Sequence, residues 1–154
     1  MDLDDFDRQL LTLVQEDAAA TAEQMAERVA LSPSAIQRRL RRLRDEGVIE
    51  RQIAVLDPAR LGPSTSFLAS LYLHHERPDQ VAALRRALLA EPAVQQAFFV
   101  TGEADFVLVV TAPDVARYEA LMAELLVQHP CILRYATQVT LGVVKRGLAV
   151  PVSG

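Results

Sequence analysis

Apolar positions recur at helical spacing three times in the first 45 residues. Phe6, Leu10, Leu13 and Val14 share one face; Ala22, Met25, Ala26 and Val29 repeat at i, i+3, i+4 and i+7; Ile36, Leu40 and Leu43 form a third stripe. Each stripe predicts an amphipathic helix, and the three together predict a small helical core. Beyond residue 66 the pattern changes. Phe67–His74, Val94–Thr101, Phe106–Ala112 and Ile132–Val144 read as strands, the third so continuously apolar that it predicts a central strand. Pro78–Glu91, with Val81, Leu84 and Leu88 inward, and a segment from Asp114 carrying Val115, Tyr118, Met122 and Leu125 read as helices. The order βαββαβ predicts an antiparallel sheet with two helices on one face and the other face free to pair with another subunit.

Local punctuation sharpens these limits. Thr21 and Gln24 have capping-box spacing, and Ser32 before Pro33 places a capping hydroxyl and a first-turn proline at the start of the third helix. Only Ala30 and Leu31 separate that helix from the one before, a connection tight enough for a helix-turn-helix. Gly47 suits a left-handed helix terminus, and Val48–Leu56 has the β-branched character of a short strand or wing. Pro, Gly and small polar residues from Leu56 to Ser66 mark a linker. The expected organisation is a DNA-binding domain at 1–56, a linker at 57–65, a βαββαβ domain at 66–146 and a tail at 147–154. The fold class is α+β, a winged helix-turn-helix followed by a ferredoxin-like domain.

Candidate chemistry concentrates on the third helix. With Ile36, Leu40 and Leu43 inward, Ser34, Arg38 and Arg41 face outward, with Gln37 and Arg42 more to one side. Residues 1–31 carry a net charge of −6, whereas residues 36–51 carry +3 through Arg38, Arg39, Arg41, Arg42, Arg44 and Arg51. Such segregation suits a local phosphate-binding surface; a solvated surface helix or a protein-docking face are the plainer alternatives.

Whole-chain properties set bounds. The 154 residues are 51% hydrophobic, enough for one or two packed cores, and the formal net charge of −4 makes any DNA contact local. The single cysteine, Cys131, allows no internal disulfide, and neither a signal peptide nor a membrane-spanning run is recognisable, so a cytoplasmic protein without membrane attachment is expected. His74 and His75 alternate across a strand and His129 stands alone, so no metal site and no cofactor are expected. Cys131 lacks an evident activating base and reads as a buried thiol.

Taken in order, LDDFDRQLLTLVQED, LSPSAIQRRLRRLRDEGVI, LDPARLG, VTGEADFVLVV and ATQVTLGVVK resemble the Lrp/AsnC, or feast/famine, regulators over roughly 140 residues. Phe106 stands where the family usually has tyrosine, and Arg51–Gln52 replaces a glycine and aromatic pair in the wing. The resemblance implies a transcriptional regulator, not an enzyme, whose second domain is of the RAM or ACT-like kind. Its partners are double-stranded DNA and a small effector, an amino acid in the first instance. It also implies a homodimer that assembles to a tetramer or octamer.

On this reading Ser32 and Ser34 meet phosphate, Gln37 and Arg38 read base edges, and Arg41 and Arg42 grip the backbone. The resemblance also places the loop Thr101, Gly102, Glu103 and Asp105, with Phe106 after it, at an effector pocket between dimers. Thr137 and Gln138 complete that pocket from a neighbouring subunit. Without the resemblance the loop is a hairpin connection in which Gly102 supplies turn geometry. Sirohaem decarboxylases resemble the same architecture, but their motif histidine has no counterpart in VQQAFFVTGEADF. A ligand-binding module that no longer binds DNA is the remaining alternative.

Overall fold

An acid three residues ahead of another starts the first helix. Asp4 Oδ1 accepts the N–H of Asp7 at 2.8 Å, and Asp7 Oδ2 accepts that of Asp4 at 3.3 Å, a reciprocal capping box that opens α1 (Asp5–Glu16). The computed structural model describes residues 2–74 and 77–152. It divides into two units: Met1–Val55 with Lys145–Gly154, and Leu56–Val144.

In the first unit, Thr21 and Gln24 form the expected capping box around α2 (Ala22–Ala26). The helix is shorter than its apolar repeat. Arg28 donates to the Met25 carbonyl at 3.0 Å, an i to i+3 bond that tightens the last turn, so six residues separate α2 from the next helix rather than two. Val29 is buried all the same, delivered by that turn. α3 (Pro33–Asp45) starts at Ser32, whose Oγ accepts the Ala35 N–H at 3.3 Å. It ends at Gly47, whose φ of 73° is the left-handed conformation expected there. Leu10, Met25, Ile36 and Leu43 centre the core.

Two features of this unit depart from the sequence reading. Val48–Leu56 forms no strand: Ile49 donates to Leu43 and packs on the core, and the other residues of the segment are exposed. The segment set apart as a tail, 147–154, contributes Val152 to the helical core. Val150 gives and receives a hydrogen bond with the Gln15 side-chain amide, at 2.8 and 3.0 Å. One amide thereby satisfies both backbone groups of an extended residue.

The second unit begins with a 3-10 turn at Pro58–Arg60. It continues with β1 (Thr65–Leu73), α4 (Pro78–Ala90), β2 (Val94–Phe99), β3 (Phe106–Ala112), α5 (Val115–Gln128) and β4 (Ile132–Val139). The sheet order is β2-β3-β1-β4, antiparallel throughout, with β3 inside as its apolar continuity predicts. Phe67, Ala69 and Leu71 of β1 and Phe106, Leu108 and Val110 of β3 share the face that buries Leu84 and Leu88 of α4 and Tyr118, Met122 and Leu125 of α5. The Phe67 and Tyr118 rings stack at 4.2 Å. The opposite face leaves Leu68 and Phe98 exposed. β4 stops at Val139, five residues earlier than its apolar run suggests. Thr140 bonds to Ser66, and β1 offers only Thr65 beyond that point.

Candidate DNA interface and effector loop

Helical periodicity sorts the arginines of α3 into two stripes. Gln37, Arg38 and Arg41 are exposed, together with Ser32 and Ser34 at the start of the helix. The hydroxyls of Ser32 and Ser34 lie 3.2 Å apart, so the N-terminal turn presents two oxygens beside the Ser34 N–H; Pro33 has no N–H, and those of Ala35 and Ile36 are taken by Ser32. Among the described residues, neither Arg38 nor Arg41 has an ion pair. These five side chains therefore form one polar, cationic surface, as the sequence predicts.

Arg39 and Arg42 lie three residues apart on the other stripe and turn toward α1. Arg39 Nη1 donates to Asp7 Oδ1 at 2.8 Å and to Asp4 Oδ2 at 2.7 Å, and Arg42 Nη2 donates to Asp7 Oδ2 at 2.5 Å. Asp7 is only 1% exposed, the one buried charged side chain among the described residues. It accepts from the Asp4 backbone and from both guanidiniums, which satisfies a carboxylate that burial alone would penalise. The Asp7 N–H and the Arg39 guanidinium hold the Asp4 carboxyl below its ordinary value, and the two carboxylates push the Arg39 guanidinium above its own. Arg39 also sits over the Phe6 ring at 5.6 Å. Expected on the backbone-gripping face, Arg42 is instead engaged by α1. Nothing in its spacing along α3 signals this, because its partner lies 35 residues away. Its spacing from the α3 arginines does not single out Asp7 in the sequence, although the three-residue separation of Asp4 and Asp7 is a readable capping signal.

The loop between β2 and β3 is a closed hairpin connection. Val100 donates to the Asp105 carbonyl at 2.9 Å, and Gly102 has φ 123°, a conformation that explains glycine there. Thr101, Gly102 and Glu103 are exposed. Asp105 is tied to β1: its N–H donates to the Leu71 carbonyl at 2.9 Å, and its Oδ2 accepts the Leu73 N–H at 2.7 Å. Phe106 is buried, its ring 5.0 Å from that of Phe99, which makes it a core residue rather than a loop contact.

Thr137 and Gln138 project to opposite faces of β4, so they cannot line one face together. Thr137 pairs with Ala69 on the helix side, where its hydroxyl lies 2.6 Å from that of Tyr118. Gln138 pairs with Leu68 on the open side. Burial and the Thr137 contact act in opposite senses on the Tyr118 hydroxyl; burial prevails and raises it.

Other reactive groups are quiet. No group of three potential metal ligands occurs among the described residues, and His75 lies outside them. Burial lowers His129 and raises the Cys131 thiol, favouring the neutral form of each. No helix among the described residues is long and apolar enough to cross a membrane.

Comparison with known proteins covers both halves. Residues 3–50 match the winged helix-turn-helix DNA-binding domain, and residues 66–150 match the Lrp/AsnC ligand binding domain. An uncharacterised HTH-type transcriptional regulator of Sinorhizobium fredii, y4tD, is 37% identical over 99% of this chain and 90% of its own. The leucine-responsive regulatory protein of Escherichia coli is 30% identical over 94% and 88%. A Neisseria meningitidis transcriptional regulator, solved as an L-Met complex, superposes with a TM-score of 0.88 at 26% identity, covering 97% of each chain. The exposed cationic helix and the four-stranded second domain thus occur in the order these proteins share, and the chain belongs to the Lrp/AsnC family of DNA-binding transcriptional regulators.

Proposed function

We propose that α3 enters the DNA major groove and that an amino acid, held at the loop after β2, modulates this binding. The single observation that carries the first half is the exposed stripe of Ser32, Ser34, Gln37, Arg38 and Arg41. These are donors suited to phosphate and base edges on one side of a capped helix whose opposite side is buried. Ser32 and Ser34 meet phosphate beside the helix N-terminus, Gln37 and Arg38 reach base edges, and Arg41 grips the backbone.

The effector half draws on the L-Met complex of the Neisseria regulator and on the chemistry of the loop. The backbone of the exposed residues Thr101 to Glu103 can offer N–H groups to a carboxylate, and Gly102 permits close approach. Asp105 Oδ2 accepts one bond, from the Leu73 N–H, and the carboxylate retains acceptor capacity for an ammonium. Gln138, on the open face, adds a side-chain amide from a second copy. Thr137, spent on Tyr118, and Phe106, spent on the core, shape the site from behind. Two copies joined through the open sheet face carrying Leu68 and Phe98 present two α3 helices to a roughly palindromic site, and the effector acts by binding the two assembly states unequally.

A thermal-shift screen of the twenty amino acids, followed by DNA retardation with each stabilising ligand, tests the whole proposal. A ligand that raises the melting temperature and changes retardation supports it. Wild-type protein that retards no duplex removes the first half, and DNA binding insensitive to every ligand removes the second.

A further inference from the structure

The Asp4–Asp7–Arg39–Arg42 cluster has a consequence for DNA recognition beyond holding two helices together. Four of the arginines in α3 fall at 38, 39, 41 and 42, and if all four reached phosphate, binding would be strong on any sequence, because phosphate contacts carry no base information. Two are instead matched by two carboxylates, one of them buried. Arg39 is 21% and Arg42 43% exposed by side chain, so both guanidiniums border the solvent that DNA would displace. We propose that Asp7, supported by Asp4, is a specificity-determining residue. By withholding Arg39 and Arg42 from phosphate, it leaves base-reading contacts to Arg38 and neighbouring polar groups as a larger share of the affinity.

The inference rests on the assignment of α3 as the DNA-reading helix. Geometry favours a withholding role over simple ion pairing on the surface. Asp7 lies at the interface of α1 and α3 and cannot be rehydrated without separating the helices, so its hold on the guanidiniums is not readily surrendered to a phosphate. Arg38 and Arg41, one position earlier in each turn, have no such partner among the described residues.

The test uses full-length protein and two duplexes of equal length, one selected from a random pool by the wild-type protein and one unselected. Asp7→Asn keeps an oxygen for the Asp4 N–H but removes the charge that holds both arginines. Its affinity for the unselected duplex rises, the slope of log K against log salt steepens by about 0.9 for each arginine released, and the selected-to-unselected ratio falls. Adding Arg42→Gln to that variant takes back about one such step. Asp5→Asn, the same charge change on an exposed position of the same helix, leaves slope and ratio at wild-type values.

Should Asp7→Asn fail to fold, Asp4→Asn removes one of the two carboxylates on Arg39 from an exposed site and shifts slope and ratio the same way, less far. Folded Asp7→Asn with wild-type slope and ratio, differing only in melting temperature, overturns the inference and leaves Asp7 a structural residue. An equal shift in Asp5→Asn overturns it as well, since net charge would then suffice. If wild-type protein retards neither duplex, the DNA-reading assignment fails first and the inference falls with it.

Discussion

The α3 helix and the loop between β2 and β3 both carry charged side chains at the surface, yet those charges are committed differently. On α3 the outer stripe, Arg38 and Arg41, is exposed with no ion pair among the described residues, while the adjacent stripe, Arg39 and Arg42, is bound to α1. On the loop, the carboxylate proposed to meet an effector is also the one that ties the loop to β1, Asp105. A helix can divide structural and functional duty between neighbouring stripes because 3.6 residues per turn gives it several faces. A six-residue hairpin connection has no such spare surface. Truncation to alanine should therefore separate stability from function at Arg38 and entangle them at Asp105, where only an isosteric change can part the two.

The largest expected effect comes from the helix core. Ile36→Ala empties a fully buried position beneath the reading face and costs the first unit about 2 to 5 kcal/mol. DNA retardation is lost at temperatures where the sheet unit still shows its β signal by circular dichroism. Coincident loss of both signals would show that the units unfold as one.

Arg38→Ala, by contrast, leaves the melting temperature within error and weakens binding to a selected duplex by about 1 to 3 kcal/mol, with relaxed preference at one base pair. Competition retardation against single-base variants of that duplex measures it. Weakening by an equal factor on every variant would make Arg38 a phosphate contact instead.

At the loop, Asp105→Ala lowers stability by about 1 kcal/mol by leaving the Leu73 N–H without its acceptor. Asp105→Asn keeps an oxygen there and so holds the melting temperature, but the lost charge lowers effector affinity about tenfold. Effector titration of the asparagine variant at wild-type concentrations would show that Asp105 serves the turn alone.

Gln15→Ala removes both bonds to Val150 and costs the first unit about 1 kcal/mol, discounted for exposure, with no change in the sheet unit. Differential scanning calorimetry resolves the two transitions.

The smallest effect is acid sensitivity at Asp4. Its carboxyl sits below the ordinary value of 3.8 in the folded state, so the contribution is fully present above that pH and is lost as pH falls through the depressed value. Acid unfolding of Asp4→Asn followed by circular dichroism should have a shallower slope below pH 4 than wild type. An identical slope would place the acid-sensitive group elsewhere.

The order of elements was open to reading because each rests on local rules. Apolar stripes at 3.6 and 2 residues, the Thr21–Gln24 and Ser32–Pro33 starts and the glycine at 47 depend only on neighbours in the chain, and all recur in the structure. The exposed stripe of α3 followed from the same geometry. Where the reading and the structure part, the deciding partner is remote in sequence. The short strand or wing expected at Val48–Leu56 is not a strand and stays exposed apart from Ile49, β4 ends where β1 runs out, and Thr137 turns to Tyr118 across 19 residues.

By itself, then, the sequence determined that three apolar stripes would make a helical unit and six further elements a βαββαβ unit, and that one helix would carry an arginine-rich outer face. Periodicity settles which side of an element is dry, since burial of apolar area is non-directional and needs only a pattern. Which arginine is available to DNA is a question of pairing. A buried carboxylate must find cations at hydrogen-bond distance whatever their separation along the chain. Only the tertiary structure, by laying Asp7 against the inner stripe of α3, decided that Arg42 belongs to α1 and Arg38 to the solvent.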